Sequence, residues 1–114
     1  MATLVELATQ ARRKLGLETG EHTITCSTNS NIADILSVND VLLTCNSSAA
    51  YNEADFQQSG TAATVATNIT ALINAIFADD SNISATANSA TVTITGARRV
   101  AVVNENTSGQ YTIS

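Results

Sequence analysis

A chain of 114 residues is long enough for one domain with a real core, and its formal charge of −5 argues against a nucleic-acid module, which needs a basic face to release counterions from phosphate. Charged residues make up only 13% of the chain, about half the usual share, and Thr, Ser and Asn supply the polar surface instead. Covering such a surface with another protein costs little, because a buried hydroxyl that finds a partner is far cheaper than a buried charge. The composition therefore points to assembly.

Residues 2 to 15 read as a helix, with Leu4, Ala8, Ala11 and Leu15 on one stripe, widened by Val5 and Leu7. Arg12, Arg13 and Lys14 suit the negative end of its macrodipole, and Gly16 is the expected stop. No basic stretch followed by an apolar one opens the chain, and no run approaches the length of a membrane span, so neither export nor a membrane is expected. The chain divides into this helix, residues 1–16, and one domain over residues 20–114. The stripe of the helix must be buried somewhere, either on a partner, as a docking arm, or on its own domain.

The domain opens with a strand over His22 to Ser27. A turn at Asn39 and Asp40 then leads into the β-rich run Val41 to Cys45. Cys26 and Cys45 form no CxxC pair and read as two buried thiols, with a bridge between adjacent strands left open. The polar loop from Asn46 to Gly60 carries Tyr51 and Phe56, which either pin it to the domain or offer it to a neighbour.

The clearest element is a helix over residues 61–77. Ala62, Val65, Ala66, Ile69, Leu72, Ile73, Ile76 and Phe77 recur at the spacing of one buried face, with Thr61 or Ser59 as cap. Asp79 and Asp80 follow as loop residues, since acids oppose the macrodipole there. A hairpin with Asn88 and Ser89 as its turn would pair Ala87 with Ala90, Ala85 with Val92 and Ile83 with Ile94. All of these lie on one face, opposite Ser84, Thr86, Thr91, Thr93 and Thr95. Val100 to Val103 lacks alternation, the pattern of a strand buried on both faces. Asn104 to Gly109 is a turn, and Tyr111 to Ile113 a terminal edge strand.

Catalytic chemistry has little to stand on. His22 is the only histidine and belongs to no nucleophile motif, and the glycines are isolated, so no phosphate-cradling loop exists. The carboxylate pairs Glu53 with Asp55 and Asp79 with Asp80 fit no calcium-loop series. No enzyme activity, cofactor or metal is expected. Arg98 and Arg99 flank a strand or meet acidic neighbours.

The stretches VNDVLLTCN, TAATVATNITALINAI and ISATANSATVTITGA, within residues 38–97, follow one another as strand, Ala-rich helix with an Ile-Asn-Ala end, and threonine-rich hairpin. Their order and spacing resemble a small α+β module of tailed-bacteriophage virion structural proteins, found in capsid-associated, tail and baseplate components. About half of the chain takes part. The loop between strand and helix is longer than in that module, and Arg98-Arg99 replaces its Gly- and Asn-rich segment. The resemblance implies an α+β domain without catalytic residues.

The expected fold is α+β, a small mainly antiparallel sheet packed against one long helix, with the additional N-terminal helix. The expected function is that of a virion structural protein, foremost a capsid-associated decoration or cement subunit. Such a subunit would be assembled in the host cytoplasm, with copies of itself and other virion proteins as partners. A tail, neck or baseplate part and a soluble binding or regulatory module are the alternatives. The candidate interface residues are Leu4, Ala8, Ala11, Leu15, Tyr51 and Phe56.

Overall fold

A computed structural model describes residues 20–80 and 82–114. The strands are β1 (Gly20–Cys26), β2 (Ile35–Val38), β3 (Val41–Asn46), β4 (Asp55–Gln57), β5 (Ser84–Asn88), β6 (Thr91–Ala97), β7 (Val100–Asn104) and β8 (Tyr111–Ile113). A short 3-10 turn, Tyr51–Glu53, precedes β4, and one α-helix, α1 (Ala62–Ile76), separates the two halves. The α+β class is as expected, but the strands form two sheets rather than one. The first has the order β5-β6-β1-β8 and is antiparallel throughout; the second has the order β4-β3-β2-β7, with only β3 and β4 parallel. The proposed N-terminal helix lies outside the described residues.

The Asn39–Asp40 turn joins β2 to β3, and both residues have positive φ, 51° and 68°, as a two-residue hairpin that follows the strand twist requires. Asn and Asp tolerate that region better than other side-chain-bearing residues. The same turn receives the β6–β7 connection. The Asn39 side-chain oxygen accepts the backbone N–H groups of Arg98 at 2.7 Å and Arg99 at 3.2 Å. The chain thus crosses from the first sheet to the second over a fixed joint. Arg99 also meets Asp40 at 3.0 Å, but both side chains are well exposed and the pair contributes little.

The β5–β6 hairpin corrects one expectation. Its turn is Ser89–Ala90, with Ser89 at positive φ, so Ala85 pairs with Ile94, Ala87 with Val92 and Asn88 with Thr91. The turn sits one residue later than the sequence pattern suggested, and the pairing shifts by two. A shift of two preserves the faces, which is why apolar alternation alone could not separate the two registers. The register is held from the other end. The step Gly20/Glu21 faces a bulge in β6, and Gly96, its extra residue, has φ +88° and lies against the Asn82 carbonyl.

Val65, Ala66, Ile69, Leu72 and Ile73 are the buried face of α1, which packs on β5, β1 and β6 of the first sheet and on β4 of the second. Thr61 occupies the N-cap position, but its hydroxyl bonds the Thr64 hydroxyl at 2.8 Å rather than a backbone N–H. Two amides on the flank of α1 reach edge strands. The Asn74 side chain donates to the Ala85 carbonyl and accepts its N–H, both at 2.9 Å, and Asn68 donates to the Gln57 carbonyl at 3.0 Å. Each occupies a main-chain position that an added strand would otherwise take. Leu72→Ala and Ile69→Ala should each cost about 2–5 kcal/mol, because both side chains are fully buried and truncation leaves a cavity. Circular dichroism melts that overlay the parent would remove α1 from the core.

One continuous core joins both sheets and the helix, with Ile24, Cys26, Val92, Ile94 and Tyr111 from the first sheet and Leu36, Val38, Leu43, Cys45 and Phe56 from the second. β7 departs from expectation. Val100 is buried, Ala101 and Val102 are partly covered, and Val103 is 54% exposed, so the strand is not buried on both faces. It forms an edge of its sheet.

Candidate interaction surfaces

Strand alternation divides each sheet into a core face and an outer face, and the two outer faces differ in chemistry. On the first sheet the outer residues align in rows across the strands. One row is Ser84, Thr95 and Glu21; the next is Thr86, Thr93 and Thr23; the third is Asn88, Thr91, Thr25 and Thr112. Seven threonines therefore share a face on which Glu21, at its margin, is the one charge. Threonine suits a strand, and its cross-strand neighbours bring methyl and hydroxyl groups together in pairs. The result is a surface that can give hydrogen bonds without first stripping water from ions.

The outer face of the second sheet is mixed, apolar near the Asn39–Asp40 turn and largely polar toward the other end. Leu42 on β3 lies across from Ser37 on β2 and Ala101 on β7, while the next row is Ile35 on β2 with Thr44 on β3, Asp55 on β4 and Asn104 on β7, where Val103 is the extra residue of a register shift. Leu42 is 50% exposed, Ile35 and Ala101 are partly covered, and Ser37, between them, is only 6% exposed. The sequence pattern missed this face because Val41, Leu42 and Leu43 are consecutive apolar residues, from which no alternation can be read.

The residues singled out from the sequence are distributed differently. Leu4, Ala8, Ala11 and Leu15 lie outside the described residues. Phe56 is fully buried and pins its loop to the core, in the middle of β4, so it is not on a surface. Tyr51 is 48% exposed at the 3-10 turn. The loop is thus held by one aromatic and shows the other. Of the paired carboxylates, Asp55 is buried and accepts the Asn46 side-chain amide at 3.3 Å while Glu53 is exposed, and Asp80 accepts the Asn82 N–H at 2.9 Å. Among the described residues no group of three or more His, Cys, Asp or Glu side chains is placed to hold a metal ion.

Both cysteines are free and buried. Burial pushes the Cys26 thiol up to about 11, and burial also raises Cys45, against a hydrogen bond with Ser30 that lowers it. Thiols held protonated in this way lack the thiolate character that nucleophilic chemistry needs.

Beside them lies a buried polar cluster. Asp34, fully buried, accepts the Tyr111 hydroxyl at 2.8 Å and the Asn31 N–H at 2.9 Å on one oxygen, and the Asn106 N–H at 2.9 Å on the other. Gln110, also fully buried, donates to the Thr28 carbonyl at 2.9 Å and accepts the Thr28 N–H at 3.1 Å. Asn104 and Asn106 donate to the carbonyls of Ala33 and Ile32. These bonds zip the connection after β1 to the one before β8, and all of the groups are satisfied by one another.

No protein family matches the chain, and no curated protein or solved structure matches it.

Proposed function

We propose that this chain is a structural protein of a bacteriophage particle, a capsid-associated decoration or cement subunit that works by assembling with copies of itself and other virion proteins, without catalysis. The observation that carries the reading is the threonine-covered outer face of the first sheet, nearly free of charge in an acidic chain. Hydroxyl and methyl groups on a paired sheet can be covered by another protein at a small desolvation cost, whereas a typical charged surface resists it. The resemblance of the strand, helix and hairpin to a phage virion module adds to this reading, and the position in the particle rests on the small size of a single domain.

Assembly is testable on the purified chain. Light scattering across a concentration series should give a stable ring, trimer or polymer, and Thr93→Glu with Thr25→Glu should shift that species toward monomer, because each places an unpaired charge on the face to be covered. A strict monomer at all concentrations would count against a self-assembling subunit and favour a soluble binding module.

A further inference from the structure

The course of the strands gives the domain two unlike ends. Glu21, the Asn39–Asp40 turn, residues 77–80 and the Arg98–Arg99 joint lie at one end, and the connections 27–34, 46–49, 58–61, 89–90 and 104–110 lie at the other. Among the described residues seven charged side chains are exposed. Glu21, Asp40, Asp79, Asp80, Arg98 and Arg99 are at the first end, and Glu53 is on the 3-10 turn. At the second end the carboxylates are occupied by the chain itself. Asp34 is buried, and Glu105 accepts the N–H groups of Gly109 at 3.0 Å and Tyr111 at 3.2 Å.

This uncharged end has an apolar centre. Ile32 and Val103, 52% and 54% exposed, are two of the four large apolar side chains that stand out among the described residues. Asn104, next to Val103, donates to the carbonyl of Ala33, next to Ile32, at 2.9 Å. The segment that presents Ile32 is held fast. The Ala33 N–H meets the Cys45 carbonyl at 2.9 Å, the Asp34 N–H meets the Asn31 carbonyl at 3.0 Å, and the Ile32 carbonyl accepts the Asn106 side chain at 2.8 Å. Ala33 has φ 75°, a region unfavourable to any residue with a Cβ. Strain that the surroundings hold in place points to a use for the segment, and what this segment offers to solvent is Ile32.

We infer that this end docks on the same end of a second copy about a two-fold axis, with the two Ile32 side chains meeting at its centre. The inference rests on the reading of this chain as a self-assembling subunit, and it adds a contact separate from the threonine face. Charge selects the occupant. Copies of a chain of net charge −5 repel one another, least where neither presents an ion. The charged end against its like would set four acids and two arginines against the same set, and against the uncharged end it would strip water from ions that gain no counter-ion. Two uncharged ends avoid both costs. Asn29, Ser47, Thr107 and Ser108, exposed at this end, carry groups that donate and accept alike, so the surface can complement its own copy as a two-fold contact requires. An apolar centre with charge depleted around it is also how protein interfaces are built.

Ile32→Cys tests the contact on the full chain, because Cys26 and Cys45 are buried and do not compete. Under mild oxidation by dioxygen with a copper catalyst it should close into a disulfide-linked dimer about tenfold or more faster than Leu42→Cys or Tyr51→Cys, since thiols already held together react at an effective concentration above that of the bulk. Leu42 and Tyr51 are as exposed as Ile32 but lie elsewhere. Ile32→Asp should lower the mass seen by light scattering. Equal cross-linking rates in the three cysteine variants, each shown by its melt to be folded, would overturn the inference even if the parent assembles. So would an Ile32→Asp protein that assembles as the parent does. Fast cross-linking at Ile32 that persists in Thr93→Glu with Thr25→Glu is the expected result. If that pair also leaves the parent's scattering unchanged, the tip contact stands and the threonine face is not a contact.

Discussion

Gly96→Ala should destabilise the domain by about 3 kcal/mol or more, the combined effect of an unfavourable backbone region and an overlap with fixed atoms. Gly96 has φ +88°, and a Cβ there would lie 1.7 Å from the Asn82 carbonyl oxygen and 2.7 Å from its carbon. Those atoms are backbone, so they cannot swing aside as a side chain would. Relief requires either the β6 bulge to straighten or the Asn82–Ile83 step to retreat, and both movements disturb the pairing of β6 with β1 and β5. Two other glycines calibrate the result. Gly109 has φ +77° with nothing within 4 Å, so Gly109→Ala should show only the left-handed strain, about 1–2 kcal/mol. Gly60 has neither, and Gly60→Ala should stay within about 0.5 kcal/mol of the parent. Chemical denaturation of the three variants gives the order directly. If Gly96→Ala unfolds no earlier than Gly60→Ala, β6 carries no bulge at Gly96.

Gly96 also marks where reading by pattern stops. Long-period signals were plain in the sequence. The stripe from Ala62 to Phe77 gives α1 within a residue at each end, and Thr-x-Thr alternation places the outer face of the first sheet. The Asn39–Asp40 turn was equally clear, because few residue pairs accept positive φ twice. Pairing between distant segments was not legible. Nothing local to β1 says that it lies between β6 and β8, so one sheet was expected where there are two. The two-residue hairpin shift was invisible because it exchanges one apolar pair for another. Edge position, which leaves Val103 exposed, is a property of the sheet and not of the strand. Among the site residues, Phe56 is buried because a parallel partner, β3, turned part of the polar loop into strand β4, a pairing across the eight residues between the two strands that no turn signal announces.

Asp34→Ala should be among the most damaging substitutions, costing about 3–5 kcal/mol, because it leaves three donors without an acceptor in the interior. The Tyr111 hydroxyl and the N–H groups of Asn31 and Asn106 all converge on this one carboxylate. A graded series separates the network from simple loss of volume. Asp34→Asn keeps the shape but turns an N–H toward a donor at one end, and should cost about 1–3 kcal/mol. Tyr111→Phe removes one donor and leaves the two backbone bonds, and should cost about 1–2 kcal/mol. The phenol also gives the cluster a pH signature. Burial first, and then the hydrogen bond to Asp34, raise the Tyr111 ionisation well above its ordinary value. The folded chain therefore holds the phenolic proton under conditions where the unfolded chain has released it. The stability that this supplies is complete below the ordinary phenol range, about 10, and falls as the pH rises through and beyond it. Cys26, pushed up by burial to about 11 from 9.0, acts in the same direction over that lower interval. Denaturation midpoints measured between neutral and strongly alkaline pH should fall steadily in the parent. The decline above the phenol range should be shallower in Tyr111→Phe, which has no such proton to lose. Superimposable alkaline profiles for the two proteins would mean that Tyr111 titrates freely, and that its bond to Asp34 does not hold the two connections together.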